Sequence, residues 1–342
     1  MTSHADLSRR WLVASGMTLA WVVLALGCAS KSGGDRPPPA TVDSELDSHD
    51  VQDPGTVPSR LEFLYVFENS RSAPYYPIEG IGGVTYASDG TLLFSDASGG
   101  RLHGLDPVNR EWFLFEQPPD RPFRPVDVRV DGFSVLVLDM GSRMLLRYEL
   151  NGSFKDRLLN FDFLDPVIPR LPSAFDIDRD GRQVYTDVAE TQVLIVDPFM
   201  ALQQVVGEPG PHREQFEEPS GVVFLPDGGF LVSDRGNRRL QRFNRLGYFE
   251  AIIGGEFDLD NPLIAPQGVD CDSYGNVFLA DPPLGGVHVF SRQMHHLFTL
   301  GSEAGLMAAP EIPLDVAVGP DDLLAVTDRG RQAVLVYRIL YE

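Results

Sequence analysis

The chain has few cysteines and few basic residues for its length of 342 residues. Its two cysteines, Cys28 and Cys271, cannot build the disulfide framework that small secreted domains use. Lysine and arginine together number 28, against 49 aspartate and glutamate residues, and the formal net charge is -21. Proteins that bind nucleic acid through a broad basic face need clustered cations, so this charge balance argues against nucleic-acid binding.

Two common chemical motifs are also missing. The sequence contains no Gly-x-Ser-x-Gly nucleophile elbow and no phosphate-binding loop. Turn-forming residues, by contrast, are abundant, with 33 glycines and 27 prolines. So many turns favour a β-rich architecture over a helical bundle.

The first thirty residues have the pattern of an export signal. Arg9 and Arg10 form a positively charged start, and an apolar run follows from Trp11 to Leu26. A membrane-spanning helix needs roughly 20 apolar residues, so this run is short for a permanent span and suits a cleaved leader. It ends in Ala25-Leu26-Gly27-Cys28, which resembles the lipobox of bacterial lipoproteins, although the first two residues depart slightly from the usual order.

The lipobox resemblance implies that residues 1–27 are a lipoprotein signal peptide and that Cys28 is the lipidation site. Acyl chains on one cysteine anchor a protein durably without a spanning helix. Ala29 stands where inner-membrane retention prefers aspartate, so in a Gram-negative source we expect attachment to the outer membrane, facing the periplasm. The paired arginines also resemble a twin-arginine motif, which leaves the export route open. The alternative for Cys28 is a plain thiol at the end of a membrane helix.

Residues 28–59 are rich in proline, glycine and aspartate and show no apolar periodicity. Such a segment cannot bury enough apolar surface to offset the entropy of ordering. We therefore expect a disordered tether here and a folded domain over residues 60–342.

The folded domain repeats one unit six times. Each unit has a short strand, a hairpin turn, a second strand that ends in aspartate, and a third strand. The successive closing aspartates are 43, 48, 47, 47 and 47 residues apart. A period in the forties with several short strands per unit indicates the blades of a β-propeller. The closing aspartates are Asp96, Asp139, Asp187, Asp234, Asp281 and Asp328.

The fourth unit resembles the NHL repeat. Pro219-Ser220-Gly221-Val222, Pro226-Asp227-Gly228 and Val232-Ser233-Asp234 stand in the expected order, and Gly236-Asn237 follows them. The resemblance implies an all-β, six-bladed β-propeller. It leaves function open, because this family contains enzymes, sensors and scaffolds.

The last unit lacks the fourth strand that follows the third strand in the other units. A strand-like segment, Leu61–Phe67, precedes the first unit. We predict that this N-terminal strand closes the last blade, because pairing there removes an open sheet edge.

Two acidic patterns are candidates for metal binding. Asp176, Asp178, Asp180 and Gly181 match the opening of a calcium loop, but no helices flank them, and a hairpin turn is the favoured interpretation. Zinc enzymes need three or four converging ligands, and the histidines are spread over the tether, strands and loops, so we expect no such set and no zinc enzyme.

The sugar-lactonase propellers are similar in fold and hold a divalent ion with Glu, Asn and Asp side chains. Here the channel-facing starts of the first strands offer Asp127 and Asp315, and Asn or Glu is absent from the matching positions. Two acids could still hold a cation such as calcium. A divalent-metal-dependent hydrolase with its site in the channel is therefore the alternative function, whereas the favoured one needs no cofactor.

Arginines gather in the loops between second and third strands and at one neighbouring entrance. On a chain this acidic, they could select an anionic ligand or an acidic protein surface. They could equally pair with local acids and contribute little. The candidate ligand-binding residues are Arg124, Arg143, Arg235, Arg238, Arg329 and Arg331.

We therefore expect a monomeric, lipid-anchored β-propeller in the cell envelope. Its expected role is to bind an envelope protein or an anionic ligand as a non-catalytic scaffold, and whether it is an enzyme stays open. The complete set of blades and the incomplete catalytic sets both favour this interpretation.

Overall fold

The computed structural model describes residues 56–68, 77–106, 111–119, 122–165, 167–255, 263–301 and 309–342. The predicted signal peptide, Cys28 and almost all of the predicted tether lie outside these ranges. Within the described ranges, no helix is long and apolar enough to cross a bilayer.

Six four-stranded antiparallel sheets build the domain, and this arrangement confirms the prediction of an all-β, six-bladed propeller. Within the first five blades, each strand pairs with the strand that follows it in the chain. The strands of the first three blades are β2 (Ile81–Tyr86), β3 (Leu92–Asp96), β4 (Arg101–Leu105) and β5 (Trp112–Leu114), then β6 (Pro125–Asp131), β7 (Ser134–Asp139), β8 (Met144–Glu149) and β9 (Phe154–Asn160), then β10 (Pro172–Ile177), β11 (Gln183–Asp187), β12 (Gln192–Val196) and β13 (Leu202–Val206).

The other three blades follow the same plan. The connection from the third blade to the fourth holds a short parallel pair, β14 (Glu208–Pro209) and β15 (Gln215–Phe216). Two 3-10 turns, Pro282–Leu284 and Pro320–Asp322, lie in loops of the last two blades. The strands are β16 (Pro219–Phe224), β17 (Phe230–Asp234), β18 (Arg239–Phe243) and β19 (Phe249–Gly254), then β20 (Val269–Cys271), β21 (Val277–Asp281), β22 (Gly286–Phe290) and β23 (His296–Leu300), then β24 (Pro313–Val318), β25 (Leu323–Asp328), β26 (Ala333–Tyr341) and β1 (Pro58–Glu68).

The burial of each strand follows its position in the blade. All five residues of β3 and of β17 are buried, because a middle strand has a neighbouring blade on both faces. The first residues of the outer strand β9 alternate between half-buried and exposed positions, since one of its faces meets solvent. Apolar clusters fill the blade junctions, and Phe94 of the first blade, for example, packs with Val336 of the last.

The N-terminal strand closes the ring, as predicted. β1 pairs antiparallel with β26, and the last sheet has the order β1-β26-β25-β24. Phe63 lies opposite Tyr337, with ring centroids 5.8 Å apart. The first and last segments of the domain are therefore held together by a full strand pair.

The six closing aspartates are structural. All are fully buried, and each accepts backbone hydrogen bonds from the segment that leads into its own blade. In the first blade, Asp96 accepts the N–H of Gly80 at 2.7 Å and that of Gly99 at 2.8 Å. Each aspartate therefore ties its second-to-third-strand loop to the entrance of its blade, which places these loops and the blade entrances at one end of the ring.

Deletion of residues 60–68 should lower the melting temperature strongly, because it removes the partner of β26 and opens the ring. Circular dichroism of the full-length chain and of the deletion variant measures this. Deletion of residues 29–55 is the control and should leave the melting temperature almost unchanged. Equal melting temperatures for the wild type and the first deletion would contradict the closure.

Candidate functional site

The innermost strands carry a buried ionic cluster in the central channel. Side chains at alternate positions of these strands face the channel, because the side-chain period of a strand is two. Asp127 and Asp315 lie two residues after the proline that starts their strands. Arg129, Asp176 and Asp270 lie four residues after the corresponding prolines.

Arg129 is the cation of this cluster. Its Nη1 donates to Oδ1 of Asp127 at 2.8 Å and lies 3.9 Å from Oδ2 of Asp315. Its Nε lies 3.6 Å from Oδ1 of Asp176. Burial alone would lower the pKa of Arg129, but the surrounding carboxylates outweigh it and hold that pKa above its ordinary value. Arg129 therefore stays charged inside the ring.

The same carboxylates connect neighbouring blades. Asp127 accepts the backbone N–H of Phe175 at 2.9 Å. Asp315 accepts the N–H of Val84, also at 2.9 Å. Asp176 and Asp270 repeat this contact, each accepting an N–H at 2.7 Å from the innermost strand of the next blade. Four of the six blade junctions are thus bridged by a channel carboxylate.

Two glycines make room for these carboxylates. A Cβ added to Gly83 would lie 2.4 Å from Oδ1 of Asp127. A Cβ added to Gly268 would lie 2.0 Å from Oδ1 of Asp315. Both distances are far below van der Waals contact, so a larger residue at either glycine would displace the acid that faces it.

The cluster has more acids than one arginine can neutralise. Burial raises the pKa of Asp176 and that of Asp315 to about 7, against the pull of Arg129. Burial also raises the pKa of Asp270, to about 6, and it raises the pKa of Asp127 above its ordinary value. These acids therefore take up protons at a higher pH than exposed aspartates do.

A cavity of about 530 Å³ opens above the cluster. Asp127, Arg129 and Asp315 line it, together with Val188, Arg235 and Glu218 nearer the loops. The rest of the lining is mostly small or neutral and includes Ser173, Ser220 and Gln267 from the innermost strands or their entrances.

A second cavity, of about 400 Å³, lies at the opposite end of the ring. Asp176, the ion-pair partner of Arg129, lines it together with Cys271 and Asp272. Because Arg129 lines the first cavity and Asp176 the second, the ionic cluster lies between them.

Three of the predicted ligand-binding arginines are held by neighbouring acids. Arg143 lies 3.1 Å from Asp162, and Arg235 lies 3.1 Å from Glu218. Arg331 is half-buried, and its Nη2 donates to a backbone carbonyl at 2.8 Å. Its Nε also lies within 4 Å of two acids.

The other three predicted arginines are open to solvent. Arg124, Arg238 and Arg329 are exposed, and their guanidinium groups have no acidic partner among the described residues. They belong to the second, fourth and last blades, at the end of the ring where the first cavity opens. The backbone N–H of Arg124 fixes its place by donating to the closing aspartate Asp139 at 2.6 Å.

The hairpin interpretation of the calcium-like motif holds for only part of it. Asp178 caps its own turn by accepting the N–H groups of Asp180 and Arg182, each at 2.9 Å. Asp176, however, lies on β10 and belongs to the channel cluster, and so does Asp270 on β20. The hairpin interpretation is therefore wrong for Asp176.

The channel acids do not fit a resident metal ion. Arg129 already occupies the position between Asp127 and Asp315, and backbone N–H groups take up carboxylate oxygens on both. Within the described ranges, no group of three or more His, Cys, Asp or Glu side chains is arranged to hold a metal ion. A channel metal would have to displace an arginine first.

Replacement of Arg129 by methionine should destabilise the protein by about 3–5 kcal/mol, because it leaves buried carboxylates without their cation. Chemical denaturation at neutral pH measures this. The control is Arg292→Met, at an exposed position in a turn of the fifth blade. A loss equal to that of the control would contradict a central role for Arg129.

The pH dependence of stability should report the raised carboxyl pKa values. A carboxyl whose pKa is higher in the folded state stabilises the fold fully below its unfolded pKa, and this contribution is lost as the pH rises towards its folded pKa of about 7. Asp176→Asn keeps an oxygen that can accept the backbone N–H of Phe224, but it removes the titrating carboxyl. Its melting temperature should therefore fall less than that of the wild type between about pH 4 and pH 8.

The matched control for this experiment is Asp89→Asn, at an exposed hairpin position. It should keep the pH dependence of the wild type. If Asp176→Asn keeps the pH dependence of the wild type, the Asp176 carboxyl does not titrate in this range and its raised pKa is contradicted.

Comparisons with known proteins agree with the fold. The family model for the NHL repeat matches residues 216–243, which include most of the fourth blade. The human E3 ubiquitin-protein ligase NHLRC1 is 26% identical over 111 residues, which cover 32% of this chain and 27% of that protein. The match thus spans little more than a quarter of the ligase.

Two solved structures have a similar architecture. A streptogramin B lyase has a TM-score of 0.58 and 12% identity, covering 80% of this chain and 97% of the lyase. Regucalcin from Agrobacterium tumefaciens, described as a calcium-binding protein, has a TM-score of 0.56 and 16% identity, covering 78% of this chain and 92% of regucalcin. At such low identities the likeness shows the fold alone. The chain is a six-bladed β-propeller with an NHL repeat in its fourth blade.

Proposed function

We propose that this chain is a lipid-anchored, non-catalytic propeller of the cell envelope that binds an anionic ligand at the channel mouth. The first cavity, closed below by the Arg129 cluster and lined by small residues, carries the proposal. Its volume of about 530 Å³ is in the range of pockets that bind small molecules. A carboxylated glycan or an acidic protein segment fits the chemistry of the exposed arginines.

The charges of the site favour recognition over catalysis. The acids at its floor are bound to Arg129 and to backbone N–H groups, so they are not free to act as a nucleophile or as metal ligands. Arg124, Arg238 and Arg329 present cations to solvent at the same end of the ring. Guanidinium groups bind carboxylates in a bidentate manner and attract anions over longer distances.

The alternative is a divalent-metal-dependent hydrolase. Its support is the shared fold with the calcium-binding regucalcin and the presence of Asp127 and Asp315 at the cavity floor. Calcium would then have to replace Arg129 between the two acids. Since Arg129 is largely enclosed, with its side chain 13% exposed, and is paired with several acids, the binding function is the better supported of the two.

Replacement of Arg124, Arg238 and Arg329 by glutamine should weaken binding of polygalacturonate or polyglutamate by about tenfold or more, because three solvent-facing guanidinium groups are lost. Biolayer interferometry on the full-length protein in detergent measures this, with neutral dextran as the reference polymer. Higher salt should weaken wild-type binding.

The matched control replaces Arg60, Arg179 and Arg292, which are exposed elsewhere on the ring, by glutamine. This triple variant has the same net charge and should bind like the wild type. Val188→Trp, at the cavity mouth, should weaken binding, whereas Val167→Trp, outside the cavity, should not. Equal losses in both arginine triple variants, or wild-type binding in both, would contradict the proposed site.

A further inference from the structure

The fifth blade carries a pair of histidines with converging ring nitrogens. His288 on β22 and His296 on the outer strand β23 both face Thr299. Nδ1 of His288 and Nε2 of His296 lie 3.4 Å apart, and the Thr299 hydroxyl lies 2.9 Å from each of them. His288 is buried, whereas His296 is half-buried and Thr299 is exposed, so the pair can be reached from solvent.

A buried carboxylate lies behind the inner histidine. Nε2 of His288 lies 3.6 Å from Oδ2 of Asp281, the closing aspartate of this blade. This nitrogen is buried and makes no hydrogen bond with the described residues, so Asp281 is its nearest acidic neighbour. A carboxylate behind one ring nitrogen turns the other nitrogen towards a metal ion in many metal sites, and it raises the basicity of that ligand.

In the first blade, the histidine that corresponds to His288 is His103, and its outer ring nitrogen is already hydrogen-bonded. There His103 lies 3.8 Å from Asp96, its own closing aspartate. Its Nδ1, however, accepts the indole N–H of Trp112 at 3.0 Å. Trp112 and His296 occupy corresponding places, each paired with the last residue of the preceding strand. The first blade therefore blocks the nitrogen that the fifth blade presents to a second imidazole.

The nitrogen separation suits a transition-metal ion. Zinc binds histidine nitrogens at about 2.0–2.1 Å, and two such nitrogens 3.4 Å apart subtend about 110° at the ion, close to the tetrahedral angle.

We propose that His288 and His296 form a surface binding site for a transition-metal ion of the zinc class. Water and the Thr299 hydroxyl complete the coordination. Asp281 is a positioning residue that holds the inner ring. The site is separate from the channel, so it does not depend on the proposed anion binding.

Zinc titration of the full-length, metal-stripped protein tests the site. Isothermal calorimetry should show one saturable zinc ion per wild-type chain. Mutation of a residue that only hydrogen-bonds a metal ligand typically lowers the metal affinity by about 10–100-fold. His296→Gln removes a ligand itself, so it should lower the zinc affinity by about tenfold or more. His295→Gln removes the adjacent histidine and should bind zinc like the wild type.

Nitrogen NMR of the wild-type histidine rings keeps the test independent of any folding defect in the variants. Zinc should shift Nδ1 of His288 and Nε2 of His296. The proposal is overturned if zinc shifts other histidines and leaves these two unchanged, if no saturable binding appears, or if both variants lose affinity equally.

Discussion

The ring depends on hydrogen bonds that run from the backbone of one blade to a carboxylate of the neighbouring blade inside the channel. Asp127, Asp176, Asp270 and Asp315 each accept an N–H from the next innermost strand. Apolar packing between blades is strong but non-directional, whereas these contacts fix the radial and axial position of each blade. Arg129 makes the arrangement possible, because two buried acids, Asp127 and Asp315, and two partly buried ones, Asp176 and Asp270, would carry a large desolvation cost without a cation.

This arrangement also determines what the channel can do. The cluster separates two cavities, and its oxygens are already occupied by protein donors. Gly83 and Gly268 leave room for Asp127 and Asp315 to approach the backbone donors. A side chain at either glycine would therefore disturb these hydrogen bonds. The groups that remain free to bind a ligand lie above the cluster. They line or surround the first cavity, which has small lining residues and opens at the end of the ring that carries the exposed arginines. These features are the basis on which we propose recognition of a ligand at this site.

Much of the fold could be predicted from the sequence, and less of the site. The regular aspartate spacing indicated six blades, and the missing last strand indicated closure by the N-terminal strand. Asp127 and Asp315 were assigned to the channel from their place at strand starts. Arg129 was missed, although the alternation Asp127-Val128-Arg129 already placed two polar side chains on the same face of an innermost strand.

Other parts of the site depend on partners that are distant in sequence. Which of the predicted arginines are paired depends on acids such as Asp162 and Glu218, whose distances from the arginines follow only from the folded ring.

The central claim is that Arg129, and not a metal ion, neutralises the channel acids. A crystal structure grown in calcium, with anomalous diffraction, tests it most directly. We expect the Arg129 guanidinium beside Asp127 without a calcium peak. A calcium ion bound to Asp127 and Asp315, with Arg129 displaced, would contradict the account.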